Sequence, residues 1–249
     1  MMNEKNCILL LGKYGYDEVK PVQQKNGLYG FYTEDGKEVF PPQWDDANYF
    51  TDDGLAAVKR GERWGFIATN GQLALPCKWE EVCSFSEGRC GVREPGGAWE
   101  FIDINGNVLF STTWKDIEYY SEGLCAVQDE TGLWGFINTE GRLVLPTKWH
   151  GVWNFKEGYA PVMNGKERWG YIDRNGKVII PCKWNEAYGP IDGKFWVYDD
   201  NDNEIKIDQF GNVVTESSEK TGTMSTKTII WTILWALVLL FLYVLKFLS

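Results

Sequence analysis

Histidine is almost missing from this chain: His150 is the one copy among 249 residues. Nucleophile–imidazole pairs and most zinc sites therefore lose their usual material. Six cysteines occur (Cys7, Cys77, Cys83, Cys90, Cys125 and Cys182), but never at the close spacing of paired thiolate ligands. No G-x-S-x-G, Walker A or G-x-G-x-x-G pattern appears, so hydrolase and nucleotide-binding chemistry has no anchor. Basic residues are in deficit as well. Lys and Arg number 25 against 35 Asp and Glu, a net charge of −10 that becomes −11 over residues 1–214. Such a body repels nucleic acid and anionic headgroups. No cofactor, metal site or catalytic residue is expected, and the chain reads as not an enzyme.

What is abundant is aromatic side chain and glycine. With 13 Trp and 27 Gly, the chain favours short strands and turns over helices. Tyr29, Trp64, Trp99, Trp134 and Trp169 follow one another at steps of 35 residues. The same period recurs in a second tryptophan column, Trp44, Trp79, Trp114, Trp149 and Trp184. It recurs again in turn glycines, Gly36, Gly71, Gly106, Gly141, Gly176 and Gly211, and in Pro41, Pro76, Pro146 and Pro181, with Ser111 breaking the last series. A fixed period of this length marks a repeat architecture in which neighbouring units share their cores.

Each unit reads as strand, tight turn, strand, aromatic corner, strand. Asn-Gly or Asp-Gly pairs at 35/36, 70/71, 105/106 and 175/176 are expected to form two-residue hairpin turns. A strand of small residues follows, as in Gly123-Leu124-Cys125-Ala126-Val127, and is expected to face a neighbouring unit.

These residues resemble the WG (KWG) repeat family of bacterial-type β-repeat proteins. The likeness rests on Trp-Gly-Phe/Tyr-Ile, the turn glycine, Pro-x-Lys-Trp and Phe-x-Glu-Gly-x-Ala-x-Val, over roughly residues 15–214. Tyr29 departs from it in the first unit, Glu100 replaces Gly in the third, and the sixth unit is degenerate. The resemblance implies an all-β, non-enzymatic array with no shared ligand. Six repeats of about 35 residues would form an open or superhelical array. The alternative is a closed, six-bladed propeller-like ring, its last blade completed by pairing residues near 5–22 with residues 204–214.

The chain divides into a repeat domain over 1–214, a flexible Ser/Thr/Glu/Lys-rich linker over 215–227, and a terminal segment over 228–249. Ile229 to Leu245 runs for 17 residues without a charge. At 1.5 Å per residue this gives about 26 Å, so a single membrane span is expected. No signal peptide precedes the body, and the lysines flanking the span favour a cytoplasmic, tail-anchored orientation.

The column Trp64, Trp99, Trp134 and Trp169 is expected to be structural, filling the layer between units. Acidic residues after the corner Trp (Asp45, Asp46, Glu80, Glu81, Asp116 and Glu186) recur with the repeat and read as turns, not a catalytic pair. The acidic run 199–204 lacks the glycine and glutamate positions of a calcium loop. Trp153 and Trp196 fall outside the period and are the candidate partner-binding surface. The leading expectation is a membrane-anchored module that binds a protein partner, and the alternative is a cell-envelope glycan or peptidoglycan binder.

Overall fold

The computed structural model describes residues 19–214. The expected terminal span and linker lie outside them, as do residues 5–18. Among the described residues there is no helix long and apolar enough to cross a membrane.

The chain folds into six consecutive antiparallel sheets. The first holds β1 (Val19–Gln23), β2 (Tyr29–Thr33) and β3 (Glu38–Trp44). The second holds β4 (Asp46–Phe50), β5 (Leu55–Arg60), β6 (Arg63–Ala68) and β7 (Leu73–Trp79). The third contains β8 (Glu81–Val82), β9 (Arg89–Arg93), β10 (Trp99–Asp103) and β11 (Val108–Ser111). The fourth contains β12 (Asp116–Ser121), β13 (Leu124–Gln128), β14 (Trp134–Asn138) and β15 (Leu143–Trp149). The fifth comprises β16 (Gly151–Val152), β17 (Tyr159–Met163), β18 (Trp169–Asp173) and β19 (Val178–Trp184). The sixth comprises β20 (Glu186–Ile191), β21 (Lys194–Tyr198) and β22 (Glu204–Ile207). Each sheet is thus a meander of three or four strands in which neighbours in sequence are neighbours in space. The ends do not share a blade in these residues: β1 pairs with β2, and β22 pairs with β21.

Every core cluster lies between two successive sheets. The second strand of each unit is small because it is buried on both faces. Ala56 and Val58 pack towards the first unit, while Leu55 and Ala57 on the same strand pack towards the third. A ring pair recurs across these interfaces, from the third strand of one unit to the first-strand region of the next. The centroids of Phe31 and Phe50 are 5.2 Å apart, Phe66 and Phe85 4.9 Å, Phe101 and Tyr120 5.3 Å, and Phe136 and Phe155 4.9 Å. At the last interface Phe195 supplies the ring instead, 4.8 Å from Tyr171. Tilted and edge-to-face geometries of this kind favour the ring quadrupoles and bury a large apolar area per residue.

The two tryptophan columns face each other across one strand pair. Trp64 stands opposite Trp79, Trp134 opposite Trp149 and Trp169 opposite Trp184. Their depth differs from the expected order. Trp44, Trp79 and Trp149 of the corner column are buried, whereas Trp64, Trp134 and Trp169 are half-buried and Trp99 alone of that column is buried. The corner ring is covered on the inside by the core, as Trp79 is by Phe66 at 5.8 Å, and the adjacent lysine lies over it. Lys78, Lys148 and Lys183 sit 5.0, 4.9 and 4.7 Å from the centroids of Trp79, Trp149 and Trp184.

The glycine after each Trp has a steric cause. Between Trp134 and Phe136 the third strand advances two residues while its partner advances four, from Trp149 to Leu145, so Pro146 and Thr147 bulge across Gly135. A Cβ on Gly135 would stand 2.5 Å from the Leu145 carbonyl oxygen, and Gly30, Gly65 and Gly170 are crowded the same way. The third unit has neither Gly nor Pro. There Glu100 pairs directly with Ser111 without the extra residues, and the Ser111 hydroxyl donates to Glu100 at 3.1 Å. The two departures from the repeat are one event: without the bulge, a side chain fits.

Turn chemistry also departs from expectation. In the Asn-Gly and Asp-Gly turns only the glycine has positive φ, 82° at Gly36 and 76° at Gly176. Gly176 donates back to the Asp173 carbonyl, and Asp173 accepts from the amides of Asn175 and Lys177. These are turns of αR residues closed by a left-handed glycine, and the two-residue reading is corrected accordingly. The two-residue turns with both φ positive are instead Glu87-Gly88, Glu122-Gly123, Glu157-Gly158 and Asp192-Gly193. The Asx geometry also holds Asp35, Asp103, Asp199 and Asp208 below the usual carboxylate range, chiefly by side-chain hydrogen bonds from Thr33, Asn107, Asn203 and Asn212. Asp129 is lowered to about 2, first by the Thr131 hydroxyl.

Gly135→Ala is expected to destabilise the body by about 1–3 kcal/mol, because the bulged backbone must move. Glu100→Ala, where there is no bulge, should stay within roughly 1 kcal/mol; urea denaturation of the two variants compares them. A depressed folded-state pKa gives stability that is present above the unfolded carboxylate value, about 3.9, and lost as pH falls through the folded value. The melting temperature should therefore drop between about pH 4 and pH 2, and Asp129→Asn should flatten part of that drop.

Candidate functional site

The turns that lead from the first strand of each unit to the second are tied together from unit to unit. The Gly88 amide donates to Asp53 at 3.0 Å, Gly123 to Glu87 at 2.9 Å and Gly158 to Glu122 at 3.0 Å. Asp192 and Gly193 donate to Glu157 at 2.9 and 2.8 Å. Each unit's acidic turn residue thus accepts from the turn of the next unit. Charge-assisted bonds to backbone amides fix the spacing of successive first strands. Sequence reasoning gave this carboxylate no role. Its signal was the recurrence of Glu before Gly in the small-residue motif.

On the surface held by this ladder, three openings adjoin. One of about 680 Å³ is walled by Asp52, Asp53, Ser84, Glu87 and Tyr119 among others. A second of about 410 Å³ is walled by Tyr119, Trp153, Asn154, Lys156 and Tyr188. A third of about 190 Å³ is bounded by Trp153, Trp169, Glu186 and Tyr188. Tyr119 belongs to the first two, and Trp153 and Tyr188 to the second and third, so they form one groove across units two to six.

The groove exposes its rings. Trp153 is 52% exposed, Tyr188 46% and Tyr119 44%. Trp153 stacks on Trp169, centroids 6.1 Å apart and planes 19° from parallel. The Tyr188 hydroxyl donates to Glu186 at 2.8 Å, and its ring meets Tyr198 edge-on at 5.9 Å. In β12 the pairing with β13 is irregular between Ile117 and Tyr120, so strict alternation fails. Glu118 beside Tyr119 is partly buried, and its pKa is raised by that burial and by Asp116.

Of the two candidates read from sequence, Trp153 lies in this groove. Trp196 does not line it: it is half-buried on β21, with the Lys206 ammonium 4.4 Å from its ring centre. Trp64, Trp99, Trp134 and Trp169 pack at the interfaces, Trp169 also forming the groove wall behind Trp153. Tyr119 and Tyr188 were not singled out from the sequence.

The other chemistry-bearing groups have local partners. Asp45 accepts from the Gly61 amide, Asp46 from Ala47 and Asp116 from Ile117, while Glu81 pairs with Arg93. Asp199 caps its own turn through the amides of Asn201 and Asn203. Among the described residues no cluster of three or more His, Cys, Asp or Glu side chains could hold a metal. Cys90 and Cys125 are buried and held well above the ordinary thiol range by desolvation, and burial pushes Cys83 up to about 12.

Comparison with known proteins agrees with this geometry. The family model described as a WG containing repeat matches residues 29–64, 64–99, 101–130, 134–167 and 169–201. The chain belongs to the WG-repeat family. Four of the five matches begin on the third strand of a four-stranded sheet and the first begins on β2, so the family's unit is offset from the sheet. No curated protein matches the chain. Among solved structures, BamB from Moraxella catarrhalis is similar with a TM-score of 0.51 at 9% identity, over 80% of this chain and 70% of that one. Hsv2 from Kluyvelomyces marxianus gives 0.52 at 10% identity, over 76% and 69%. These likenesses support an all-β body of repeated small sheets, of propeller or β-repeat kind.

A buried, protonated thiol is a poor nucleophile. Cys83, Cys90 and Cys125 are expected to remain unmodified by iodoacetamide at about pH 8 in the native protein and to react fully once it is denatured; peptide mass mapping reads both states.

Proposed function

We propose that this chain is a non-catalytic interaction module whose WG-repeat body presents an aromatic groove to a protein partner. One observation carries the reading: Tyr119, Trp153 and Tyr188, from three adjoining units, are exposed together around one opening, whereas the ring pairs between units, such as Phe66 with Phe85 and Phe136 with Phe155, are buried. Large rings left in water cost solvation free energy, and a bound partner recovers it. Membership of a repeat family supports binding, since such arrays put recognition on a continuous surface built from many units.

In this reading residues 228–249 tether the body to a membrane and residues 215–227 give it reach, with the body in the cytoplasm. Tethering raises the local concentration at the membrane, so modest affinity suffices. In this reading the array is open, a choice supported by the five core clusters, each of which joins two successive units. The second reading is a binder of cell-envelope glycans, favoured by the same rings, because flat aromatic faces also stack on sugars. It requires the body to lie outside the cytoplasm.

A photo-crosslinking residue at position 153, introduced into the full chain in cells, is expected to yield discrete protein adducts. The same residue at exposed Val178, away from these rings, should not. An amino-terminal tag should resist protease until the cells are permeabilised. Loss of the tag from intact cells, with no protein adduct at 153, would move the conclusion to the glycan reading.

A further inference from the structure

The groove has a charge as well as an aromatic face. Asp52, Asp53, Glu87 and Glu186 stand in its walls against Lys156.

The body itself shows how its tryptophans are used. Lys59 lies over Trp64, Arg60 over Trp44, Lys78 over Trp79, Arg93 over Trp99, Lys148 over Trp149 and Lys206 over Trp196. Trp153 is stacked on Trp169 and half exposed, and among the described residues no Lys or Arg covers it. A cation over its outer face would complete the arrangement found elsewhere in the chain.

We propose that the groove takes an extended, cationic segment of a partner protein, with Arg or Lys side chains laid across Tyr119, Trp153 and Tyr188 and their charge met by Glu186 and Asp52. This rests on the interaction-module reading and names the partner's chemistry. An extended chain fits because the three rings come from successive units and line one open groove. Nucleic acid is disfavoured by the carboxylates, and a neutral sugar could hydrogen-bond them but would bring no charge to pair with them.

The test titrates the full chain by calorimetry with a synthetic peptide of repeated Arg-Gly-Ser, its Asp-Gly-Ser counterpart, and chitohexaose, each at low and high salt. The Arg peptide should bind and weaken as salt rises, and the Asp peptide should not bind. Trp153→Ala should weaken binding roughly tenfold or more, Trp153→Tyr much less, and Glu186→Gln roughly threefold to tenfold. Unchanged melting temperatures check that these variants fold. Absence of Arg-peptide binding, or binding indifferent to Trp153→Ala, overturns the proposal. Salt-independent, Trp153-dependent binding of chitohexaose overturns it too, but leaves the groove as the binding site. If position 153 yields no protein adducts while the Arg peptide binds through Trp153, the protein-partner reading fails and the site's preference for cations stands.

Discussion

The ring pair between one unit's third strand and the next unit's first-strand region is the contact on which this body depends. A sheet of three or four short strands has two faces to bury and no means of burying either alone. Phe66 against Phe85, and its counterparts one repeat on, turns that deficiency into stacking, because each sheet finishes its neighbour's core. The small residues of the second strand follow from the same constraint. Ala56 and Ala57 point to opposite neighbours, and both faces must admit a ring from the adjoining sheet. The acidic ladder from Asp53 to Gly193 then sets spacing at the end where the rings leave off, by bonds that are local in the repeat and long in sequence.

Much of this was legible in the sequence because repetition amplifies weak signals. One Trp-Gly pair says little, while three in register with glycine and proline columns define the unit and its shared cores. What the period did not reveal was which of two equivalent-looking dipeptides sets which turn. Asn175-Gly176 and Glu157-Gly158 both end in glycine, yet only the second has positive φ at both residues. The difference lies in Asp173, whose carboxylate caps a longer turn from two residues upstream. The order of burial of the two tryptophan columns was not legible either. Trp134 and Trp149 face each other on paired strands, and which of them is covered depends on how the bulge at Pro146 seats the two strands against the core, not on residue type, which is the same in both.

The third unit shows how a repeat tolerates change. Glu100 and Ser111 stand eleven residues apart, and taken singly each breaks a column. They are bonded to one another across a strand pair that has lost its bulge. Steric exclusion at Gly135 and its relief at Glu100 are two sides of one backbone choice, so substitution at either column alone meets the penalty that the joint change avoids.

The candidate site was legible only where it broke the period. Trp153 stood out because no other unit has Trp there, whereas Tyr119 and Tyr188 looked like ordinary strand aromatics. Alternation would have sent one of two adjacent residues inward, but the irregular pairing of β12 turns that rule off at 118 and 119. Positions on the first strand or in the segment just after it are therefore released from the packing that fixes the third strand and the corner, and composition there is free to differ between units: Ser84, Tyr119, Asn154 and Gly189 occupy one such column. A repeat that invests its invariant residues in the interfaces and its variable ones along a single groove separates stability from recognition. Exchanging Trp153 should consequently alter what the groove holds while leaving the ring pairs beneath it intact.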